Sequence, residues 1–261
     1  MSNLNLHWLW QFLSKQTLRK VPEVLLLFWI IKLLTTALGE STSDYLVHTL
    51  NHPVIAVALG GTGFIIAMIL QLWIRHYIAW IYWLAVTMVA IFGTMAADVI
   101  HIGLGVPYLI STIFFSIALT IIFIVWYLNE RTLSIHSIFN RRRELFYWAT
   151  VLTTFALGTA AGDMTAITFR LGYFDAGILF AVLISLPAIA WRIFKINAVF
   201  AFWFAYIVTR PLGASYADWF GRSHELGGIG LGTGKTSITL AILIILFVVY
   251  LTITKNDIKR S

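Results

Sequence analysis

The hydrophobic residues of this chain lie in long, nearly uninterrupted runs that short polar segments separate. Eight of these runs are long enough to cross the roughly 30 Å hydrocarbon core of a bilayer as helices. They cover approximately residues 22–44, 53–74, 78–99, 106–128, 146–166, 173–193, 196–219 and 236–254. The pattern therefore predicts an all-α integral membrane protein with eight transmembrane helices.

A motif of three residues recurs in every second run. Trp29, Gly39 and Asp44 have the spacing W-x9-G-x4-D, and three more sets repeat it. These sets are Trp83, Gly93 and Asp98; Trp148, Gly158 and Asp163; and Trp203, Gly213 and Asp218. An aromatic residue precedes each Trp, and a small residue follows each Gly by four positions. A fixed period of this kind indicates tandem duplication, so we predict four two-helix repeats.

The repeats share one orientation in the membrane, because each contains two spans. A second similarity, Ile-Gly-Leu-Gly at 102–105 and at 229–232, pairs the second repeat with the fourth. We therefore expect two pseudo-symmetric membrane halves, at 21–135 and 145–256, joined by a basic cytoplasmic loop at 136–144.

The formal net charge of +7 is concentrated on one side once the spans are drawn. Thirteen of the eighteen Lys and Arg residues fall in the terminal segments and in alternate loops. The positive-inside rule then places both termini in the cytoplasm, and residues 1–20 are expected to form an amphipathic segment at that interface. The charge therefore marks topology in a bacterial inner membrane, and nucleic acid is not an expected partner. The expected partners are the lipid bilayer and a small ion or small molecule, and a homo-oligomer is left open.

The repeated Trp, with Gly and Asp at its fixed spacing, resembles that of bacterial membrane-anchored proteins built from four tandem repeats of unknown function. In that family each repeat has two spans and a characteristic tryptophan, and the similarity covers nearly the whole chain. The resemblance implies an eight-helix fold but no particular activity. Function has to be argued from the residues.

The motif acids are the first candidates for chemistry. The Gly-to-Asp interval corresponds to about 7.5 Å of helical rise, so each Asp lies near the external end of its odd-numbered span. If the repeats surround a common axis, Asp44, Asp98, Asp163 and Asp218 form a ring at the external mouth, as cation pathways use. The alternative, of equal weight, is that each Asp caps its helix locally at the interface. The motif Gly residues are assigned to helix packing, and the motif Trp residues either to core packing or to interface anchoring.

Two charged residues break the repeat pattern. Lys32 and Arg210 stand where the other repeats have uncharged residues, and both are expected to point into the bundle. A partner acid such as Glu40, Asp44 or Asp163 would offset the cost of each buried cation. Glu40, which only the first repeat has, is the expected titrating carboxylate.

Hydroxyl groups and one histidine complete the candidate set. Thr36 and similar residues would line a polar interior, or would instead bond back to helix carbonyls. Together with the acids they suit a hard cation bound through oxygen. His101 lies three residues beyond Asp98 and could share a metal with it, although a solvated pair at the interface is the simpler interpretation. The metal, if any, is not specified by this pattern.

The leading functional prediction is a membrane transporter or uniporter for a small inorganic cation: a proton, sodium or a hard divalent metal such as manganese. Two alternatives stay open, a non-transporting scaffold or assembly partner and a carrier of an organic anion that Lys32 and Arg210 would bind. The sequence has no nucleophile–base set, no H-E-x-x-H pair and no cofactor motif. We therefore expect neither an enzyme nor a cofactor.

Overall fold

The computed structural model describes residues 19–50 and 52–258. Within these ranges the chain forms eight α-helices and no strand, which confirms the all-helical prediction. The helices are α1 (Leu26–Leu50), α2 (Pro53–Trp73), α3 (Ala79–Asp98), α4 (Tyr108–Glu130), α5 (Arg141–Asp163), α6 (Tyr173–Phe194), α7 (Ala198–Gly221) and α8 (Thr233–Thr254). Short π-helical turns, Val99–Gly103 and Met164–Thr168, continue α3 and α5.

Seven of these helices, α2 to α8, are long and apolar enough to cross a membrane, judged over the described residues. The exception is α1, which carries Lys32, Glu40 and Asp44. All three of these polar side chains are buried within the protein. The polarity of α1 therefore reflects an interior position.

The odd-numbered helices form a closed inner ring. α1 packs against α3 and α7, and α5 packs against the same two helices from the other side. Each even-numbered helix lies outside, against the inner helix of the following repeat: α2 on α3, α4 on α5, α6 on α7 and α8 on α1. The last repeat thus completes the first, so the two predicted halves are joined mainly along four helix pairs, α1–α7, α3–α5, α4–α5 and α8–α1, as well as by the connecting loop.

The motif glycines explain why the inner helices approach so closely. A methyl group built on each one would lie 2.0–2.8 Å from a residue of the next inner helix. The contacts are Gly39 with Ala90, Gly93 with Phe155, Gly158 with Arg210, and Gly213 with Thr36. In every case the facing residue lies three positions before the next motif Gly. Small residues therefore set the spacing around the whole ring, as predicted.

A layer of aromatic rings repeats the same cyclic pattern towards the other end of the inner helices. The aromatic residue before each Trp packs against the Trp of the next repeat. The ring centroids are separated by 5.6 Å for Phe28–Trp83, 5.7 Å for Tyr82–Trp148, 6.2 Å for Tyr147–Trp203 and 5.7 Å for Phe202–Trp29. Trp83, Trp148 and Trp203 are buried and Trp29 is partly buried, so the motif Trp residues pack in the core rather than anchor the chain at an interface.

We call the end of the bundle that holds the basic connections the basic end. Here Lys20 forms a buried ion pair with Glu144, whose other carboxylate oxygen accepts a 3.0 Å hydrogen bond from Gln71 Nε2. The amide of Glu23 donates to the carbonyl of Asp257 at 2.9 Å. Segments from both halves of the chain therefore meet at this end.

One predicted boundary needs correction, and one predicted segment lies almost entirely outside the described residues. The basic loop expected at 136–144 is shorter, because α5 already begins at Arg141. Asn140 caps this helix, its side-chain oxygen accepting from the amide of Arg143 at 2.8 Å, which favours a helix start over an extended loop. The amphipathic segment expected at 1–20 lies outside the described residues except for Arg19 and Lys20.

Candidate cation site

The four motif Asp residues come together at the end of the ring opposite the basic end, which we call the acidic end. Their side chains, with Glu40 and His101, form two groups, and within each group the potential ligand atoms lie within 4.8 Å of one another. The first group is Glu40, Asp44 and Asp218; the second is Asp98, His101 and Asp163. Ser43 links repeats one and two here, because its Oγ donates to Asp98 Oδ2 at 3.3 Å. The motif acids therefore form two neighbouring groups rather than four separate caps.

Two arginines form ion pairs with the three acids of the first group. Arg222 reaches Asp44 Oδ2 at 2.8 Å and Asp218 Oδ1 at 3.1 Å, and Arg210 Nη2 reaches Glu40 Oε2 at 2.7 Å. Glu40, Asp44 and Asp218 are all buried. Buried carboxylates require such partners, because an unpaired charge in a low-dielectric interior is costly.

Arg210 joins all four repeats. Its Nη2 donates to Glu40, to Thr159 Oγ1 at 2.6 Å and to Thr94 Oγ1. These three acceptors each follow a motif Gly directly, in repeats one, three and two. A side chain that reaches the same position in all three other repeats must lie at the centre of the ring. We call Arg210 with these three partners the Arg210 plug.

The partner expected for Lys32 was predicted wrongly. Its Nζ lies 4.3 Å from the ring centroid of Phe155 and 4.2 Å from that of Tyr206, and it has no hydrogen-bond partner among the described residues. Lys32 and Glu40 are eight residues apart on one helix, which corresponds to about 12 Å of rise, so the lysine cannot reach the acidic end. Contact with the two ring faces replaces the expected ion pair.

Thr36 follows the second of its two expected roles, whereas His101 differs from the simpler interpretation given for it. Thr36 Oγ1 donates to the carbonyls of Leu33 at 2.6 Å and Thr209 at 3.3 Å, so it bonds to backbone instead of lining an ion path. His101 is buried, with 6% of its surface exposed, and a solvated interfacial pair is therefore the wrong interpretation. The π-helical turn places its ring against Tyr108, at 4.7 Å between centroids, and the start of α4 covers it.

Two residues of the site were missed in the sequence. Arg222 lies beyond the span expected at 196–219 and directly follows α7, and the four-residue spacing from Asp218 lets its side chain reach that acid. Ser111 gave no signal, because it lies on an outer helix outside the motif; its Oγ is 2.6 Å from His101 Nε2.

The four repeats match a known protein family. The chain matches a family described as Repeat of Unknown Function (DUF347) four times, at residues 27–77, 81–132, 146–197 and 201–257. Each match contains one inner and one outer helix. Comparison with curated proteins and with solved structures gives no match. The chain therefore belongs to this family of repeats of unknown function, as its spaced Trp, Gly and Asp residues predicted.

Proposed function

We propose that the protein is a multi-pass protein of the bacterial inner membrane that carries a small inorganic cation, which binds at the acidic end. One observation carries this proposal: five carboxylates converge there, against two arginines. Asp98 and Asp163 have no ion-pair partner in the described part of the chain. Ionisable groups in such positions are functional by default, because the fold keeps them at a cost in stability.

Insertion in a membrane is supported by the outer helices. Their outward surfaces are lined with large exposed hydrophobic residues such as Ile66, Ile113, Val182 and Ile245, which water would not stabilise. Basic residues cap α4, α6 and α8 at the basic end, where they also complement the negative ends of the helix dipoles. The positive-inside rule then orients the basic end towards the cytoplasm.

A carrier fits this geometry better than an open channel. Arg210 is fully buried in the Arg210 plug, and a fixed guanidinium on the axis repels cations. The aromatic layer fills the ring below it. A cation that enters from the acidic end therefore cannot continue unless the Arg210–Glu40 pair separates, so transport requires a conformational change.

The organic-anion alternative gains less support. The Nη2 of Arg210 already donates to Glu40, and Lys32 is enclosed by Phe155 and Tyr206. An anionic ligand would have to displace these contacts before either cation could bind it.

Ion flux in proteoliposomes tests the proposal. We expect flux of at least one of H⁺, Na⁺ or Mn²⁺ in the wild type, and a fall of about tenfold or more in Asp98→Asn and Asp163→Asn, because each removes charge from the site. Asp175→Asn is the matched control, since Asp175 is an exposed acid in the first turn of α6 at the same end.

Two results would count against a carrier. These are a wild type that moves none of the three cations, and a pair of site variants that both move them as fast as Asp175→Asn does. Either result would leave the acids with a role in packing alone and favour the scaffold alternative.

A further inference from the structure

We infer that Asp98, His101 and Asp163 bind a divalent first-row transition-metal ion. The inference rests on the proposed carrier and names the class of its substrate. A ring nitrogen of His101 and one carboxylate oxygen from each Asp lie within 4.8 Å of one another. They come from the ends of α3 and α5, which are neighbouring helices in the inner ring.

The hydrogen bonds of Ser111 leave one nitrogen of His101 open. The Ser111 hydroxyl donates to the carbonyl of Tyr108 at 3.0 Å, so its oxygen is free to accept from His101 Nε2–H at 2.6 Å. The lone pair is then on Nδ1, which is buried and has no hydrogen-bond partner among residues 19–50 and 52–258. Metal-binding histidines are oriented in this way, with the second nitrogen donating to a neighbouring acceptor.

The charges also favour a cation at this group. Arginines compensate Glu40, Asp44 and Asp218, whereas no described Lys or Arg forms an ion pair with Asp98 or Asp163. Two carboxylates beside a buried imidazole lone pair repel one another, and either a bound metal ion or a proton on one carboxyl group relieves that repulsion.

The local backbone separates this group from the other two motif acids. Asp98 and Asp163 are each followed by a π-helical turn, while α1 and α7 continue beyond Asp44 and Asp218 without one. Turns of this kind occur frequently at functional sites. The position three residues after the motif Asp holds His only in the second repeat. The site is therefore a single departure from the fourfold pattern.

The donor atoms select the class of metal. Imidazole nitrogen suits Fe²⁺, Ni²⁺ and Zn²⁺, and carboxylate oxygen suits Mn²⁺, so a site of one nitrogen and two carboxylates fits a divalent first-row ion, whereas Mg²⁺ and Ca²⁺ prefer sites made only of oxygen. Ligand atoms bound at about 2.1 Å lie about 3–4 Å apart, so side-chain shifts of about 1 Å would close this group around an ion. The chain has no Cys, so no thiolate is present to favour softer metals.

Equilibrium dialysis of the full-length protein in detergent, with Mn²⁺ alone as the probe, tests the site. We expect one Mn²⁺ to bind, with an affinity that falls about tenfold or more in His101→Phe and is unchanged in His224→Phe, which alters an exposed histidine at the same end. A large excess of Mg²⁺ should not displace the Mn²⁺. Pulsed EPR of the wild type should show coupling to an imidazole ¹⁴N, a readout that does not depend on any variant folding correctly.

Ser111 acts here as a positioning residue. Ser111→Ala should weaken Mn²⁺ binding by about 10- to 100-fold, and Ser111→Thr, which keeps the hydroxyl, should restore it. A purely structural role would not predict that the hydroxyl alone decides the affinity for the metal.

The failures of the two proposals can be told apart. Absence of Mn²⁺ binding, equal affinity in His101→Phe, or absence of the ¹⁴N coupling overturns the transition-metal site, even if the protein still carries H⁺ or Na⁺. Binding at this site without flux of any cation would support the site and contradict the carrier.

Discussion

The contact between Gly39 and Ala90 leaves no space for a methyl group between α1 and α3. In Gly39→Ala the new Cβ would lie 2.6 Å from Ala90 Cβ, 2.8 Å from its carbonyl carbon and 2.9 Å from its carbonyl oxygen. Carbon atoms in ordinary contact are about 3.5–4.0 Å apart, so one helix would have to move by about 1 Å. Two of the three contacts are with backbone, which no side-chain rotation can relieve.

Two opposing effects determine how Gly39→Ala changes the free energy of unfolding. Inserting a methylene-sized group into a well-packed interior costs about 1–3 kcal/mol. Replacing Gly by Ala within a helix also stabilises the folded state by about 1 kcal/mol, because Ala has the higher helix propensity. Gly162→Ala isolates the gain in helix propensity, because there the new Cβ would be 3.7 Å from Pro211, an ordinary contact, and two other repeats already have Ala at this position. The difference between the two variants is therefore the steric cost.

Thermal unfolding in detergent, followed by tryptophan fluorescence, measures this difference. At about 2–4 °C per kcal/mol for a chain of this size, Gly39→Ala should melt roughly 2–12 °C below Gly162→Ala. Equal melting temperatures, or a higher one for Gly39→Ala, would refute the claim that the motif glycines set the distance between the inner helices.

Three further predictions follow from buried polar contacts. Arg210→Met leaves Glu40 buried without its partner and should lower the free energy of unfolding by about 3–5 kcal/mol, and adding Glu40→Gln should recover part of that loss in a double-mutant cycle. Glu144→Gln removes the charge that pairs with a buried lysine at the basic end, so a loss of similar size is expected by thermal unfolding. Burial raises the pKa of Asp257 above its ordinary 3.8, although the hydrogen bond from Tyr77 opposes the shift. The folded state thus holds this proton more tightly, and its stabilisation is lost as pH rises from 3.8 through the raised pKa. Asp257→Asn should therefore gain stability relative to the wild type across that window.

Controls accompany these measurements. Asp175→Asn alters an exposed acid in the first turn of α6, so its effect should stay within about 1 kcal/mol. A loss from Glu144→Gln no larger than this would contradict the buried role of Glu144. A melting-temperature difference between Asp257→Asn and the wild type that does not change with pH would show that Asp257 does not titrate differently on folding.

The sequence predicts the elements of this fold well, because long apolar runs and a motif of fixed spacing are local signals. Convergence of the motif acids followed from their equal depth in equivalent helices. The packing of each outer helix on the next repeat did not follow, because no residue pattern states which neighbour a helix contacts. The start of α5 was also misplaced, since three consecutive arginines at 141–143 suggest a loop although they occupy a capped first turn.

The residues of the candidate site were also predicted from the sequence only in part. Arg210 was identified by its departure from the repeat, but its partners depend on which side chains reach the centre of the ring. Lys32 departs from the repeat equally and finds aromatic faces instead of an acid. His101 is buried because a π-helical turn interrupts α-helical periodicity, which the spacing to Asp98 alone cannot reveal.

The closure of four repeats into one ring is the claim from which the shared acidic end follows, and a disulfide tests it directly. Ser237 Oγ on α8 donates to Ser41 Oγ on α1 at 3.0 Å, and the chain has no Cys of its own. In Ser41→Cys/Ser237→Cys, oxidation should link the first repeat to the last, so that cleavage within 131–140 leaves two fragments joined until they are reduced. Ser116→Cys, on the outward surface of α4, replaces Ser237→Cys in the control pair. Fragments that separate without reduction, as in the control, would contradict the closed ring.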